Sequence, residues 1–398
     1  MSNLMQHGIQ KIYPQLEREM KHLMDVNKDC IPTISIEDIP ITTPFNVSSG
    51  TYGAYTKHIY IPSQNIIYFI PRDQLEIYKW HYFNVTTNTM MEYTHGLWGI
   101  SSSKYYGGIY DYNFNRIILI PVMDVNKTTY IDISSIPPKA ISYTPATSFS
   151  SYPVGGIADF FNKSIYMAGI GNNAKFLKIL TDYTINYETI SITSTDTSIT
   201  SSHLYTLSML RNYIIREDGT LNYLDPELTL VYFHKLNSTT MFRNTIYTSP
   251  SKTSVDYAGG GSNQVYIPFL RRSYYGNGKK YLDFNLYETR TITQNNTNND
   301  RILAMNGLNN KIYFLRTNGY IDVMDVTSNE ISTLNTNVTL GTVNPYSVSY
   351  SMTTDGKIII FQTNSSSSIT TSIKKMTINL NLKVKPSQDL LLSGLINN

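Results

Sequence analysis

The segment Leu270–Tyr281, which reads LRRSYYGNGKKY, carries the densest set of side chains able to recognise a ligand. Two tyrosines lie between four basic residues, and the set is Arg271, Arg272, Tyr274, Tyr275, Lys279 and Lys280. Aromatic faces attract cations, and arginine binds carboxylates and phosphates through parallel hydrogen bonds. The segment therefore predicts a site for a sugar, a phosphate or an acidic partner. The alternative is a solvated hairpin tip.

A second tyrosine pair, Tyr105 and Tyr106, lies in the segment SSSKYYGG, Ser101–Gly108. We expect this pair to be exposed, and the same two interpretations apply to it. Tyrosine suits binding surfaces because a large ring ends in a hydrogen-bonding hydroxyl.

The motifs that support catalysis are missing from the printed sequence. Its only cysteine is Cys30, outside the repeats described below, so it contains no pair for a cysteine–tyrosine copper site and no cysteine metal cluster. It contains neither His-x-His nor His-Glu-x-x-His, and no nucleophile elbow, phosphate loop or dinucleotide fingerprint. We expect a protein that is not an enzyme and that holds no cofactor or metal.

Two sets of polar residues could serve a structural or a functional role. His58, His81 and His95 are closely spaced, and we interpret them as surface or inter-strand histidines. Three aspartates near the predicted inner strands are either turn caps, which we favour, or a catalytic or ion-binding set; they are Asp111, Asp159 and Asp256.

The composition is poor in charge and rich in tyrosine. Charged residues are 15% of the chain, tyrosines number 33, and the formal net charge is +3. So small a charge gives no reason to expect nucleic-acid binding. No stretch reaches the roughly 18 apolar residues of a membrane span, and the start lacks the apolar core of a secretory signal. We expect a virion protein made in the host cytoplasm, or otherwise a cytoplasmic protein.

A short strand register recurs at intervals of 46 to 52 residues. Its seven copies are NIIYF at Asn65, RIILI at Arg116, KSIYM at Lys163, NYIIR at Asn212, QVYIP at Gln264, KIYFL at Lys311 and KIIIF at Lys357. We interpret each copy as the second of four strands, after a first strand often rich in glycine. Four-stranded units with this period predict an all-β, seven-bladed β-propeller over residues 32–384. In the sixth copy, Asn318-Gly319 predicts a type I′ hairpin turn.

A closed ring needs its two ends fastened together, because open sheet edges invite aggregation. The segment Thr33–Ile39 resembles the fourth strand of a repeat, and we predict that it completes the last blade. The competing closure uses Ile378–Val384 alone.

The repeated register resembles the kelch-type repeat, whose strand reads roughly N-x-I-Y-x-x-G-G. The nearest copies are Asn162–Gly169 and Asn309–Gly319. The double glycine is reduced to Ala168-Gly169 or Asn318-Gly319, and the tryptophan usual later in the repeat is missing. The resemblance implies a propeller fold, which is shared by adaptors, lectin-like binders, oxidases and virus particle components.

The two ends of the chain carry apolar clusters outside the ring. Residues 1–31 predict a helix starting near Pro14, with one apolar face made of Leu16, Met20, Leu23 and Met24. The tail, residues 385–398, carries Leu390, Leu391 and Leu392. These side chains either pack on the ring of their own chain or dock on a partner.

These features favour a non-enzymatic structural or binding propeller in a virus particle or phage tail, acting in assembly or host attachment. The expected partners are other virion or tail proteins, further copies of the chain, or a glycan on the host surface. The alternatives are a carbohydrate-binding lectin or glycosidase-type propeller and an intracellular kelch-like adaptor.

Overall fold

The computed structural model describes a chain made mostly of strands, with a helix near each end. The described residues are 2–46, 55–71, 79–94, 105–121, 128–143, 152–160, 164–170, 175–181, 185–194, 214–215, 220–225, 230–236, 240–248, 264–275, 280–286, 288–292, 301–343, 348–362 and 369–396.

The first helix, α1, is longer than the sequence predicts. It spans Ser2–Asn27 and contains Pro14 in its interior, where a start had been expected. A proline there removes one intrahelical hydrogen bond. Packing of the apolar face, described below, stabilises the helix despite this loss. The second helix, α2, spans Gln388–Leu392, and the Ser387 side chain caps it by accepting from the Leu390 amide at 3.1 Å.

The strands form antiparallel units of four. The first strand of the chain is β1, Thr33–Asn46. Unit one contains β2 Tyr55–Ile61, β3 Ile66–Pro71, β4 Lys79–Asn84 and β5 Thr89–Thr94. Unit two contains β6 Tyr105–Asp111, β7 Arg116–Pro121, β8 Thr128–Asp132 and β9 Lys139–Tyr143. Unit three contains β10 Tyr152–Asp159, β11 Ser164–Ile170, β12 Lys175–Thr181 and β13 Ile185–Ser194. Unit four contains β14 Ile214–Ile215, β15 Thr220–Asp225, β16 Leu230–Leu236 and β17 Thr240–Thr248, and unit five contains β18 Gln264–Ile267, β19 Arg272–Tyr275, β20 Lys280–Asp283 and β21 Glu288–Thr291. Unit six contains β22 Arg301–Asn306, β23 Lys311–Arg316, β24 Ile321–Asp325 and β25 Ile331–Leu334. Unit seven contains β26 Val348–Met352, β27 Lys357–Gln362 and β28 Ile369–Asn379 together with β1.

Units three and four share one eight-stranded sheet, because their outer strands β13 and β17 pair in parallel. The blade count of seven therefore stays a prediction. Neighbouring units pack through their first strands: β2 contacts both β6 and β26, and β6 contacts β10. At Gly108 on β6, a side chain would lie 2.8 Å from Ile70 of unit one, which explains the small residue where two units converge.

The ends of the chain are joined by strand pairing. Strand β1 pairs antiparallel with β28, from Thr33 opposite Asn379 to Asn46 opposite Ile369. The N-terminal strand thus occupies the outer position predicted for Thr33–Ile39. Of the competing segment, only Ile378 and Asn379 lie in a strand, and they belong to β28.

A buried lysine connects this closing pair to unit one. Lys375 on β28 forms an ion pair with Glu37 on β1 at 2.5 Å, and its Nζ also contacts the Asn88 side chain in the turn between β4 and β5. Asn88 in turn donates to Glu37 at 2.9 Å, and the Lys375 ammonium lies 4.9 Å from the centre of the Phe83 ring. The hydrogen bond from Lys375 is the main cause that lowers the pKa of Glu37.

One backbone hydrogen bond recurs in five of the described units. A residue with positive φ ends the turn between the first and second strands, and its carbonyl accepts from an amide just after the third strand at 2.9–3.1 Å. The five residues are Asn65, Asn115, Arg271, Asn310 and Gly356. Asparagine and glycine tolerate this left-handed conformation best, which explains why four of these five residues, at or just before the start of the register, are asparagine or glycine.

The predicted register is wrong by one strand in units four and five. The segments at Asn212 and Gln264 were assigned to second strands, yet β14 and β18 are the first strands of their sheets in the described chain. In unit five the left-handed position falls on Arg271 and not on an asparagine. The glycine-rich segment 254–261, predicted as a first strand, lies outside the described residues. Alternation of apolar residues alone does not distinguish one strand of a meander from the next.

The helices cover the end of the ring where first strands turn into second strands. The Asn27 side chain is buried, accepts from the Lys383 and Val384 amides at 2.8 and 3.1 Å, and donates to the Val384 carbonyl at 3.0 Å. In the turn between β6 and β7, the Tyr112 hydroxyl donates to the Leu392 carbonyl at 3.1 Å. Neither described helix is apolar and long enough to cross a bilayer.

Between β23 and β24, the Arg316 amide donates to the Tyr320 carbonyl at 2.9 Å, so the hairpin loop consists of the three residues 317–319 and the predicted two-residue type I′ turn is wrong. The Gly319 amide donates to the Arg316 carbonyl at 2.9 Å, and only Gly319 in this loop has positive φ, at +81°. This is a type I turn followed by a left-handed glycine, the usual solution for a loop of three.

Replacing Gly319 by alanine should destabilise the protein more than the same change at Gly341. Both glycines have φ near +80°, so both changes impose a left-handed alanine, which costs about 1–2 kcal/mol. A Cβ at Gly319 would also lie 2.4 Å from the Gly341 carbonyl oxygen, whereas Gly341 has open space. Unfolding free energies from denaturant titration would measure the difference, and equal losses would contradict the steric argument.

Acid should weaken the ring closure through Glu37. Its pKa lies below 4.5 in the folded protein, so its stabilising contribution is complete above that pH and is lost as the pH falls through the folded-state value. The difference in unfolding free energy between the wild type and Glu37→Gln should be constant from pH 5 to 7 and shrink in stronger acid. A difference that stays constant down to pH 3 would show that the Lys375–Glu37 charge pair does not stabilise the closure.

Candidate binding sites

The residues of the basic tyrosine segment are divided between the two ends of a hairpin. Arg271 ends a 3-10 turn before β19, while Lys280 begins β20 beside the opposite end of β19. Lys279 lies outside the described residues. Because β19 is four residues long, about 10 Å separates the two ends. Arg271 and Lys280 therefore lie at opposite ends of the hairpin, and the binding role of the segment stays a prediction.

Two of these side chains are used inside unit five. The Tyr274 ring is fully buried and packs on Tyr281, with ring centres 5.2 Å apart. The Arg272 Nε lies 3.5 Å from the Asp283 carboxylate, and its guanidinium lies over Tyr281. The expected exposure of Tyr274 is wrong because β19 extends through Tyr275 and turns the Tyr274 side chain into the core. Tyr275 lies on β19, where its backbone pairs with Gln264.

The tyrosine pair of unit two lies in a strand, β6, and not in a loop. Tyr105 is 1% exposed and packs edge-on against Trp80, with ring centres 6.4 Å apart. Its predicted exposure is wrong, because Tyr105 and Tyr106 begin the innermost strand β6 and do not lie in a loop.

The apolar faces of the two ends pack inside their own chain. Leu16, Met20, Leu23 and Met24 are each at most 3% exposed and belong to the same core as the strands. Leu390 and Leu391 are buried as well, and Leu392 is half-buried. This is the packing alternative that the sequence left open. Docking these side chains on a partner would first require undoing that core.

A chain of polar contacts runs outward through unit one. The Tyr55 hydroxyl, at the start of the inner strand β2, contacts His81 Nδ1 on β4. His81 Nε2 lies 3.6 Å from Glu92 Oε1 on β5, and Glu92 Oε2 lies 3.4 Å from Lys79 Nζ. Burial lowers the pKa of His81 to about 4, so its imidazole is neutral at pH 7. Burial also raises the pKa of Tyr55, so the phenol keeps its proton and donates to Nδ1, which leaves the proton of the ring on Nε2, facing Glu92.

This chain of contacts ends in a cleft between units one and two. The cleft has a volume of about 560 Å³. One wall comes from β4 and β5 and the other from the turn between β8 and β9; the lining residues are Lys79, Glu92, Tyr93, Thr94, Ser135, Ile136, Pro137, Pro138 and Lys139. The Glu92 side chain is 11% exposed there and the Lys79 side chain 43%. We call this site the interunit cleft; it presents a largely buried carboxylate and an accessible ammonium.

The histidines of unit one are inter-strand residues, as interpreted from the sequence. His58 on β2 bridges to unit seven: Nδ1 lies 2.9 Å from the Ser351 hydroxyl and Nε2 lies 2.6 Å from the Ser349 carbonyl. His95 lies outside the described residues. Within the described part of the chain, no three His, Cys, Asp or Glu side chains are grouped to hold a metal ion.

The aspartates proposed from sequence differ in outcome. Asp111 caps the turn after β6 by accepting from the Asn113 amide at 3.1 Å, and it binds Arg116 at 2.9 Å. Asp159 ends β10, and Asp256 lies outside the described residues. The structure thus shows turn capping for Asp111.

The interunit cleft has no signal in the sequence. Lys79, His81 and Glu92 sit on two strands, and the facing wall lies more than 40 residues later. The alternation of TMMEYT on β5 indicates that Tyr93 faces the core while Glu92 faces the other way, but not what Glu92 meets.

Comparison with known proteins establishes the fold. No protein family and no curated protein matches the sequence. Among solved structures, the chain is similar to one titled "YCF48 bound to D1 peptide", with a TM-score of 0.53 and 9% identity over 86% of this chain and 96% of that chain. Together with the four-stranded antiparallel units, this likeness confirms an all-β β-propeller with an N-terminal helix.

His81 should make the protein less stable in mild acid. The unfolded state binds a proton near pH 6.5 and the folded state only near pH 4, so folding stability falls as the pH falls between these values. His81→Gln keeps a hydrogen-bonding side chain and should remove this part of the loss. Unfolding free energies at pH 4.5 and 7 would measure it, with the exposed His22→Gln as control. An identical pH dependence in wild type and His81→Gln would contradict the neutral buried imidazole.

Proposed function

We propose that this propeller is a binding and assembly subunit, with the ring as a rigid support, and that it is not an enzyme. The observation that carries the proposal is the fastening of both chain ends. Strand β1 closes the last unit, while α1 and α2 are anchored to the ring through Asn27 and Tyr112. A ring tied at both ends holds its loops and edges in fixed positions, which lowers the entropy cost of binding.

The buried carboxylates of the ring support a structural role for its ionic groups. Asp322 in unit six is fully buried and is bound by Arg301 at 2.6 Å, by Arg316 at 2.5 Å and by the Thr333 hydroxyl at 3.0 Å. Asp111 is bound in the same way by Arg116. Carboxylates held by arginines and buried among strands are committed to specifying the fold.

The structural neighbour supports binding by such a ring, since its title describes it as bound to a peptide. At 9% identity, no peptide-binding residue of that protein can be assigned to a position in this chain. The likeness therefore supports a binding role in general and identifies no site.

The kind of assembly we propose is a virus particle or phage tail, in which the chain is a spike, fibre or adaptor subunit with a kelch-like repeat. Composition supports this part: 33 tyrosines and only 15% charged residues give a surface whose polarity comes from hydroxyls and amides. Tyrosine covers contact area at low entropy cost and keeps a hydrogen-bonding tip. The alternative is an intracellular kelch-like adaptor, which would use the same propeller to bind a cellular protein and not a virion protein.

Sedimentation of particles from the producing cells tests this proposal. A tagged full-length chain should migrate with assembled particles in a density gradient and stay with them after a high-salt wash. A matched variant that loses the anchor, Asn27→Ala, should reduce that association along with stability, because two backbone amides lose their partner at about 1–3 kcal/mol each. Recovery of the wild-type chain only as a free monomer, away from particles, would overturn the particle role.

A further inference from the structure

We infer that the interunit cleft binds a neutral saccharide, through the Lys79–Glu92 pair on one wall and the apolar turn on the other. This inference names a ligand class for the proposed binding role and rests on that role. It starts from a cleft of ligand size that contains the Lys79–Glu92 ion pair. Its volume of about 560 Å³ lies within the range of small-molecule sites.

The Lys79–Glu92 pair matches the hydrogen-bonding pattern of adjacent hydroxyls. The ammonium is a donor only and the carboxylate an acceptor only, and their facing atoms lie 3.4 Å apart. Each hydroxyl of a sugar both donates and accepts, so two neighbouring ring hydroxyls can accept from Lys79 and donate to Glu92 at once. Behind the carboxylate lies the neutral ring of His81, with Nε2 3.6 Å from Glu92 Oε1.

A neutral ligand leaves the ion pair intact, whereas a charged ligand does not. An acidic group would be attracted by Lys79 and by Lys139 on the opposite wall, but it would compete with Glu92 for Lys79 and be repelled by the carboxylate at 11% exposure. A cationic group would compete with Lys79 in the same way. His81 is neutral at pH 7 and adds no charge behind the pair. Separating a partly buried pair costs more than adding hydrogen bonds to it.

The opposite wall supplies an apolar surface for the C–H face of a sugar ring. Ile136 is 57% exposed at the cleft, an unusual position for so apolar a side chain, and Pro137 and Pro138 extend it. Tyr93 also lines the cleft, and its buried hydroxyl has no hydrogen-bond partner among the described residues. An apolar patch with a few fixed polar groups is the usual make-up of a small-ligand site.

Binding to an array of neutral and acidic oligosaccharides, followed by calorimetric titration with the best neutral glycan, tests the inference on the full-length chain. The wild type should bind neutral glycans. Periodate cleaves the carbon–carbon bond between carbons that carry adjacent hydroxyls and oxidises both carbons to carbonyls, so periodate treatment of the glycan should abolish binding. Lys79→Met, Glu92→Gln and Ile136→Asp should each raise the dissociation constant at least tenfold. Ile136 is exposed, so its variant keeps the test valid even if Glu92→Gln fails to fold.

The matched control is Lys357→Met, which breaks an exposed ion pair with Asp355 in unit seven. Its affinity should equal that of the wild type. The inference is overturned if the chain binds no glycan, if it binds only acidic glycans or an acidic peptide, or if neutral glycan binding survives all three cleft variants.

The gradient experiment separates this inference from the proposed function. A chain that joins particles but binds no neutral glycan would reject the saccharide site alone. A chain that binds glycan through the cleft and never joins particles would reject the particle role alone.

Discussion

The antiparallel pairing of β1 with β28 is the interaction on which the rest of the molecule depends. It completes the outer edge of unit seven, and it brings Glu37 to Lys375 and through Asn88 to unit one. Without it, β28 would be an open edge, and unit seven would lose the contacts that β1 makes with β5 of unit one. The pairing covers the edge of β28, which would otherwise be free to pair with other chains, and makes β1 the outer strand of the sheet.

Closure also explains why the polar groups of the interior are arranged as they are. His58 reaches across the joint to Ser349 and Ser351, and its two ring nitrogens are both bonded there. Elsewhere in unit one, Tyr55 contacts His81, which lies next to Glu92 on the outer strand. Buried polar groups must find partners, and here those partners lie on neighbouring strands or neighbouring units. Unit one therefore carries two groups of buried polar contacts, one at the joint with unit seven and one leading to the candidate site.

The repeat could be predicted from the sequence because each unit depends on local backbone chemistry. Asn65, Asn115 and Asn310 mark a left-handed turn that asparagine favours, so they recur in register with the strands. Where Arg271 takes that position, the marker disappears and the predicted register slips by one strand. The cleft could not be predicted because its walls are joined by packing between units, and nothing local in KWHYFN or SSIPPK indicates that they face each other. The predicted exposure of Tyr105 and Tyr274 is wrong for a related reason. Each begins a Tyr-Tyr-Gly sequence, which resembles a loop although both tyrosines lie in a strand.

The sequence distance across the closing pair has a consequence for biosynthesis. Thr33 pairs with Asn379, so 379 − 33 = 346 positions separate two residues that lie side by side. The ribosome must release nearly the whole chain before β1 can find its partner, and contacts of such long range are slow to form. Until then the residues of β1 have no strand to pair with. The apolar face of α1, which precedes β1, also lacks the later strands on which it packs. The last step of folding is therefore also the step at which the nascent protein is most exposed to association with its own copies or with chaperones.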